Sequence, residues 1–453
     1  MRRVAYCSPV NPVESGISDY SEELLPYLGQ YIDITVFVDN DVQPTNRSML
    51  QALRVEKIGN LANLHAQQPF DAILYHMGNS PAHSSFLTAL QRLPGVVVLH
   101  DYVLHHLMLW HAANRLKNMN IYREAMTRRY GVDGTRVASM MERGQLSDVV
   151  FAMPLSESVI ERATALIGHS RYVVERAHAY RPDLPTAVVP MGVPLVDVPE
   201  RIEARELLGL PLHAPIWASF GHINPYKRVE QALRAFAKFR ADYPDALYCL
   251  VGSVSPNYDL PSLVKRLHLG DSVHITGYVD HADFNLYVAA ADICFNGRYP
   301  SAGETSASLL RLLGAGRAVL VSDIATFSEL PRDAVAHVPV DHTEEATILA
   351  YAQRLWQDQA LRHALEVNAR NYVVREHSLE QAAAKYIAFL NELYGWGEIK
   401  PVRDPLWDLN TVEMVQHDSV GKMIGRKAAE LGMTEADMPL LNRVADRLRR
   451  IVS

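Results

Sequence analysis

The stretch from Arg298 to Ser322 sets a carboxylate beside a loop, a helix start and a buried strand in immediate succession, which is the arrangement of a ligand site. Gly303 frees the backbone, and Thr305, Ser306 and Ser308 can cap exposed amides. The helix that follows points its positive end at whatever lies before Glu304. That end suits a phosphate. Glu304 would repel the same anion, so its chemistry is to accept hydrogen bonds from hydroxyls, as a sugar offers. A plain helix cap followed by a core strand is the alternative, and this stretch alone does not separate the two. A second constellation runs from Phe220 to Arg228. Here Lys227 and Arg228 are spaced to meet a diphosphate and Gly221 lets the backbone approach, against the alternative of a solvated cationic helix start.

These residues need elements to hold them. Short apolar or β-branched runs recur at Val4–Tyr6, Ile32–Val38, Ala72–Tyr75, Val96–Leu99, Ala165–Ile167 and Ala187–Val189, most of them separated by helix-length stretches. The pattern begins again at Ile216–Phe220, Leu247–Val251, Val273–Ile275, Ile293–Phe295 and Val319–Val321. Such alternation predicts an α/β chain with two doubly wound parallel-sheet domains, the boundary falling in the proline-bearing stretch Val193–Glu200. Ligands of open parallel sheets bind outside the carboxyl ends of the strands. The loops at those ends carry Ser15-Gly16-Ile17, Asn79, His100-Asp101, Gly221-His222, Gly252-Ser253 and Gly277-Tyr278-Val279. Backbone groups at the last two glycine-ended strands can read a flat base edge, although glycine after a strand is also ordinary turn chemistry.

At 453 residues the chain is long enough for two or three domains and a cleft between them. A composition of 48% hydrophobic and 21% charged residues is that of a globular protein, and a net charge of −7 gives no reason to expect nucleic acid as a partner. Cys7, Cys249 and Cys294 lie in or beside apolar runs and read as buried thiols of a reducing, cytoplasmic setting. No CxxC spacing invites a metal, and no apolar run approaches the length that crosses a bilayer.

Taken together, Ser15 to Tyr20, His100-Asp101, His169 to Val173, Pro190 to Val193, Gly221 to Arg228 and Gly303 to Ser322 resemble, in order and spacing, the retaining nucleotide-sugar glycosyltransferases of the "glycosyl transferases group 1" family. The resemblance covers roughly residues 1 to 395. It implies a GT-B fold of two Rossmann-like domains facing a cleft, with an acceptor domain over 1–198 and a nucleotide-sugar domain over 199–378. A crossover helix within 379–400 would pack back on the first domain. It implies Lys227 as the diphosphate lysine, Glu304 as the carboxylate on the donor-sugar hydroxyls, and His100 as a group reaching that sugar from the first domain. A satisfied strand-end histidine is the blander reading of His100. Donor and substrate contacts are expected from Gly16, Asn79, Asp101, Gly221, His222, Arg228, Gly252, Tyr278, Val279, Arg298, Thr305, Ser306 and Arg311.

Two departures from the family pattern stand out. His222 occupies the place of an arginine, so one phosphate contact is weakened or pH-dependent unless Arg228 or Arg298 supplies it. The family's two glutamates, eight positions apart, would fall at Gly303 and Arg311: Glu304, one place later, can serve the first role, and Arg311 occupies the place of the glutamate that meets the ribose. On an ideal helix it would share a face with Glu304 at about 10 Å, too far for a direct ion pair. No metal and no cofactor are implied, the nucleotide sugar being a substrate. A non-catalytic nucleotide-binding subunit with the same fold is the competing reading, suggested by His222 and Arg311 and opposed by Lys227 and Glu304.

Between His100 and Ser147 lies a mostly helical stretch rich in His, Met and Arg, which fits either a solvated insertion or a surface that rests on an anionic membrane and guides a glycan, lipid-linked or protein-linked acceptor. Residues 401–453 depart from the family. Apolar spacing from Asn410 onward predicts two amphipathic helices, suited to packing or to a homodimer contact.

Overall fold

The apolar runs become strands because a parallel sheet covered by helices buries both faces of each strand, and only an uninterrupted apolar run satisfies that. In the computed structural model, which describes residues 1–145 and 148–409, seven parallel strands form the first sheet. They are β1 (Arg3–Cys7), β2 (Asp33–Val38), β3 (Arg54–Lys57), β4 (Ala72–Met77), β5 (Val96–Leu99), β6 (Ala165–Gly168) and β7 (Thr186–Val188). Their order is β3-β2-β1-β4-β5-β6-β7. The second sheet holds β8 (Ile216–Phe220), β9 (Leu247–Val251), β10 (Val273–Gly277), β11 (Ile293–Asn296), β12 (Ala318–Ser322) and β13 (Ala336–Val338), in the order β10-β9-β8-β11-β12-β13. Each sheet therefore reverses direction of winding at its first strand, between β1 and β4 and between β8 and β11, and the crevice outside those strand ends is the expected ligand position. The architecture is the two-domain GT-B arrangement expected from the sequence. Two strands were not legible as runs. Both β3, Arg-Val-Glu-Lys, and β13, Ala-His-Val, are short edge strands.

Both sheets lie within one compact unit, Met1–Leu406. The helix Leu379–Tyr394 returns to the helix Gly16–Leu28 of the first sheet's layer, where the Tyr20 hydroxyl donates to the Tyr386 hydroxyl at 3.2 Å. Gly395, in left-handed conformation, ends it. Further links across the two layers come from Glu329, whose carboxylate accepts from the amides of Arg171 and Tyr172 at 3.0 and 2.6 Å, capping the helix Arg171–Tyr180. Among the described residues no helix is long and apolar enough to cross a membrane, and the three cysteines are free and buried.

The stretch after β5 folds as a helical hairpin. The helix His105–Trp110 continues into a π-helical turn, His111–Arg115, then reverses into the helix Met119–Glu142, which kinks at Gly131. It carries a small core of its own, including Ala112, Tyr122, Met126, Val137, Met141 and Met153. Residues 401–408 run without helix or strand, and the amphipathic helices expected from Asn410 onward lie outside the described residues.

Candidate active site

The carboxyl ends of the two sheets face one another across a cleft of about 1020 Å³, at the upper end of the range for small-molecule sites. From the second sheet it is lined by Gly221, His222, Lys227, Gly252, Tyr278, Val279, Arg298, Glu304, Thr305, Ser306 and Arg311, and from the first by Gly16, Asn79 and Asp101. These fourteen expected positions, dispersed over the sequence, are thus brought to one place.

Geometry explains the composition of the strand ends. A side chain at Gly252 would put its Cβ 2.3 Å from the Gly221 carbonyl oxygen, and Gly252 has φ of 140°, so the loops after β8 and β9 close on each other only with glycine there. Gly303 has φ of 77°, and a Cβ there would strike Tyr102 and Tyr172 of the first domain at 2.8 and 3.0 Å. Ser306 caps the helix Ala307–Gly314 by accepting from the Leu309 amide at 3.3 Å. Glu304 lies before this helix, not on it. Its carboxylate is held by Arg298 at 2.5 Å and by the Ser301 hydroxyl at 3.0 Å.

Lys227 ends the short 3₁₀ turn Pro225–Lys227 and reaches back along the loop to donate to the Phe220 carbonyl. Burial and the neighbouring Arg298 lower its pKa to about 7, with Glu304 pulling the other way. Asp101 faces these groups from the first domain and accepts from the Asn79 amide at 2.7 Å. Burial, and then the nearby Glu304, raise its pKa to about 7, opposed by the Asn79 amide and Arg298. The cleft therefore pairs an acid and a base that both titrate near neutrality.

Two expected residues are not in the cleft. His100 is 4% exposed and turns inward, into a row of three histidines. Val189 offers only a carbonyl, so His169 donates to it through Nδ1 at 2.8 Å and accepts through Nε2 from His100 Nδ1 at 3.3 Å. His100 Nε2 in turn accepts from His76 Nδ1 at 2.9 Å. All three rings are neutral, their pKa values depressed chiefly by burial. Both nitrogens of His100 are thereby occupied, and its ring backs the edge of Tyr20, a cleft-lining residue, at 5.5 Å. In this structure the histidine is satisfied and turned inward, and its neighbour Asp101 takes the cleft position. Arg228 is the second correction. It adopts the left-handed region with φ of 57°, pairs with Glu344, and lies over the Tyr299 ring, so Arg298 is the remaining cation beside Lys227.

Arg311 forms an ion pair with Glu23 of the Gly16–Leu28 helix. Burial raises the pKa of Glu23, opposed by Arg311. Sequence reasoning missed Glu23 and Phe151, and it assigned no contact to Asp19 or His106 although they lie in the strand-end segments it singled out; all four line the cleft. A carboxylate inside an amphipathic helix gives no signal of the partner it meets 288 positions away.

Residues 200–372, which hold the whole of the second sheet, match the family described as "Glycosyl transferases group 1". The chain carries a glycosyl transferases group 1 domain. An alpha-D-kanosaminyltransferase of Streptomyces kanamyceticus is 24% identical over 194 residues, which are 43% of this chain and 49% of that protein, so the match spans about half the length of this relative. The fold as a whole is shared with a sucrose-phosphate synthase from Thermosynechococcus elongatus (TM-score 0.63, 17% identity, 88% of this chain and 100% of that one). It is shared equally with the Anabaena protein HepE, solved in complex with UDP (TM-score 0.61, 15% identity, 86% and 100%). In the group 1 domain of this chain, Lys227, Arg298 and Glu304 converge on one wall of the cleft.

Proposed function

We propose that the protein moves a sugar from a nucleoside diphosphate sugar to a hydroxyl of a glycan or glycoconjugate acceptor, with retention at the anomeric carbon, in the synthesis of a cell-surface polysaccharide. The observation that carries the reading is the convergence of Lys227, Arg298 and Glu304 on the group 1 wall, opposite Asp101. HepE has been solved with UDP-glucose, which supports a donor of that class. Retention, the acceptor class and the polysaccharide role rest on the family resemblance.

In this reading the bond between the anomeric carbon and the diphosphate oxygen breaks as the bond to the acceptor oxygen forms on the same face, and the acceptor proton passes to the departing phosphate. Lys227 and Arg298 meet the charge growing on the diphosphate, together with the amides at the start of the Ala307–Gly314 helix. Such a donor is worth about 3–4 kcal/mol in a pre-organised site. Glu304 accepts hydrogen bonds from donor-sugar hydroxyls. Asp101 accepts one from the sugar or the acceptor, from the side first assigned to His100.

A thermal-shift series with nucleoside diphosphates and their sugars tests this, on wild type and on Lys227→Ala. A ligand at 100 times its dissociation constant adds about 2.7 kcal/mol of stability. Stabilisation of wild type by one diphosphate and its loss in Lys227→Ala is the expected result. Absence of any shift at millimolar ligand would favour a subunit that keeps the fold without using it.

A further inference from the structure

The helical hairpin after β5 has one end in the cleft and the other in solvent. At its base His106 and Phe151 line the cleft wall. Its tip is the turn from the π-helical segment into the helix Met119–Glu142, closed by the Leu116 amide on the His111 carbonyl and the Asn118 amide on the Ala112 carbonyl, both at 2.9 Å. Around that tip Trp110, Leu116 and Ile121 are 37%, 42% and 44% exposed, although the hairpin has a core of its own in which to bury apolar residues. The chain through the tip is cationic as far as Arg123, after which the exposed Glu124 follows. From Tyr102 to Arg123 the chain contains no Asp or Glu, in a protein whose net charge is −7. Arg123 is matched by Glu142, but Arg115 and Lys117, both exposed, form no ion pair among the described residues.

We propose that this tip docks on the surface of an anionic lipid bilayer. An indole and two aliphatic side chains flanked by two unmatched cations are the composition of an interfacial contact: the apolar groups enter the headgroup boundary and the cations meet lipid phosphates. Bulk charge opposes such an approach and the tip's own charge favours it, which fixes the orientation of the molecule on the membrane. Nine residues separate His106 from Arg115, roughly 10–15 Å along the helical segment. The cleft then opens about that far above the lipid headgroups, within reach of a glycan carried on a lipid. Docking itself is independent of the proposed transfer reaction, whereas naming the acceptor as membrane-borne rests on it.

Sedimentation of the full chain with vesicles decides the matter, comparing phosphatidylcholine alone with phosphatidylcholine mixed with phosphatidylglycerol. Wild type is expected to partition only onto the anionic vesicles and to be released as salt rises. Arg115→Gln and Lys117→Gln should each weaken partition about fivefold. The triple variant Trp110→Ser, Leu116→Ser, Ile121→Ser should abolish it. All these positions are exposed, and an unchanged nucleotide-induced thermal shift in each variant shows that the cleft is intact. Failure of wild type to bind anionic vesicles, or binding that survives both sets of changes, overturns the proposal. So does self-association through the tip in place of vesicle binding, since the surface would then fit a second copy. A protein that docks but takes no nucleotide keeps this inference and loses the proposed reaction.

Discussion

Glu23 and Arg311 join the two domains across the cleft, one from the Gly16–Leu28 helix and the other from the Ala307–Gly314 helix. Their side chains are 16% and 17% exposed, so the pair is neither a surface ion pair of little worth nor a fully buried one. Removing the cation strands a carboxylate in a desolvated place, whereas removing the carboxylate leaves an arginine facing an open cleft. Arg311→Met is therefore expected to lose about 2 kcal/mol and Glu23→Gln less. The pKa of Glu23 is already raised by burial, and without Arg311 it rises further. A raised carboxylate pKa means the folded state holds the proton longer than the unfolded one, so the variant's deficit should grow as pH rises and shrink as pH falls toward the ordinary carboxylate range. Melting temperatures of wild type and Arg311→Met at acidic and at neutral pH check this. A deficit independent of pH would refute the electrostatic account.

Lys227 gives a second pH signature. Its pKa of about 7 lies below that of a free lysine, so the unfolded chain binds the extra proton between these values and the unliganded protein should gain stability as pH rises through that window. A bound diphosphate reverses the preference, because the anion stabilises the ammonium. Binding at pH 8 should take up close to one proton, seen by calorimetry in two buffers of different ionisation enthalpy, and affinity should fall up to tenfold per pH unit above 7. Lys227→Met should lose both the proton uptake and the slope. Uptake that persists in the variant would assign the titration to another group.

The row His76-His100-His169 makes a third prediction. His100→Ala should destabilise the protein by about 3 kcal/mol, since it opens a cavity and leaves His76 Nδ1 and His169 Nε2 without a partner. The nucleotide-induced thermal shift should persist in that variant, because the ring lies behind the cleft wall. All three pKa values are lowered, that of His169 to about 4, so the folded state resists protonation that the unfolded state accepts. Stability from this row is complete above the unfolded value near 6.5 and is lost as pH falls below it. Denaturant titrations from pH 7 to pH 4.5 should show a steep loss in wild type and a shallower one in His100→Ala.

His100 and Arg228 also show where sequence reasoning stops. The sheet strands were legible because burial on both faces demands apolar runs. The edge strands Arg54–Lys57 and Ala336–Val338 were not, because short strands at a sheet margin need no such run. The cleft loops were legible as loops rich in Gly, Ser and charge. Which of two adjacent residues faces the ligand was not. His100 and Asp101 differ by one position and point to opposite environments, and Arg228 diverges from Lys227 because it adopts the left-handed conformation just after the 3₁₀ turn that Lys227 ends. Backbone conformation makes both choices, and residue type alone does not encode it. Glu23 was invisible for a further reason, because its meaning depends on a partner in the other domain.

Glu304 couples the groups just described. It holds Arg298, raises the pKa of Lys227 and raises that of Asp101. Glu304→Gln preserves shape and can keep the Ser301 contact, but removes the charge. Diphosphate alone should bind as well or better, since Arg298 is released from its carboxylate. Transfer should suffer: replacing charge-assisted hydrogen bonds to sugar hydroxyls is expected to lower kcat/KM by about 10- to 100-fold, in line with the ~1.5–3 kcal/mol such a bond contributes. The pKa values of Asp101 and Lys227 should both fall, because the negative charge that raised them is gone. Both limbs of the pH profile for transfer should then move toward acid by comparable amounts. A fall in rate with an unmoved profile would mean that Glu304 contacts the sugar without setting the charge of the cleft, and a moved profile with an unchanged rate would mean the reverse.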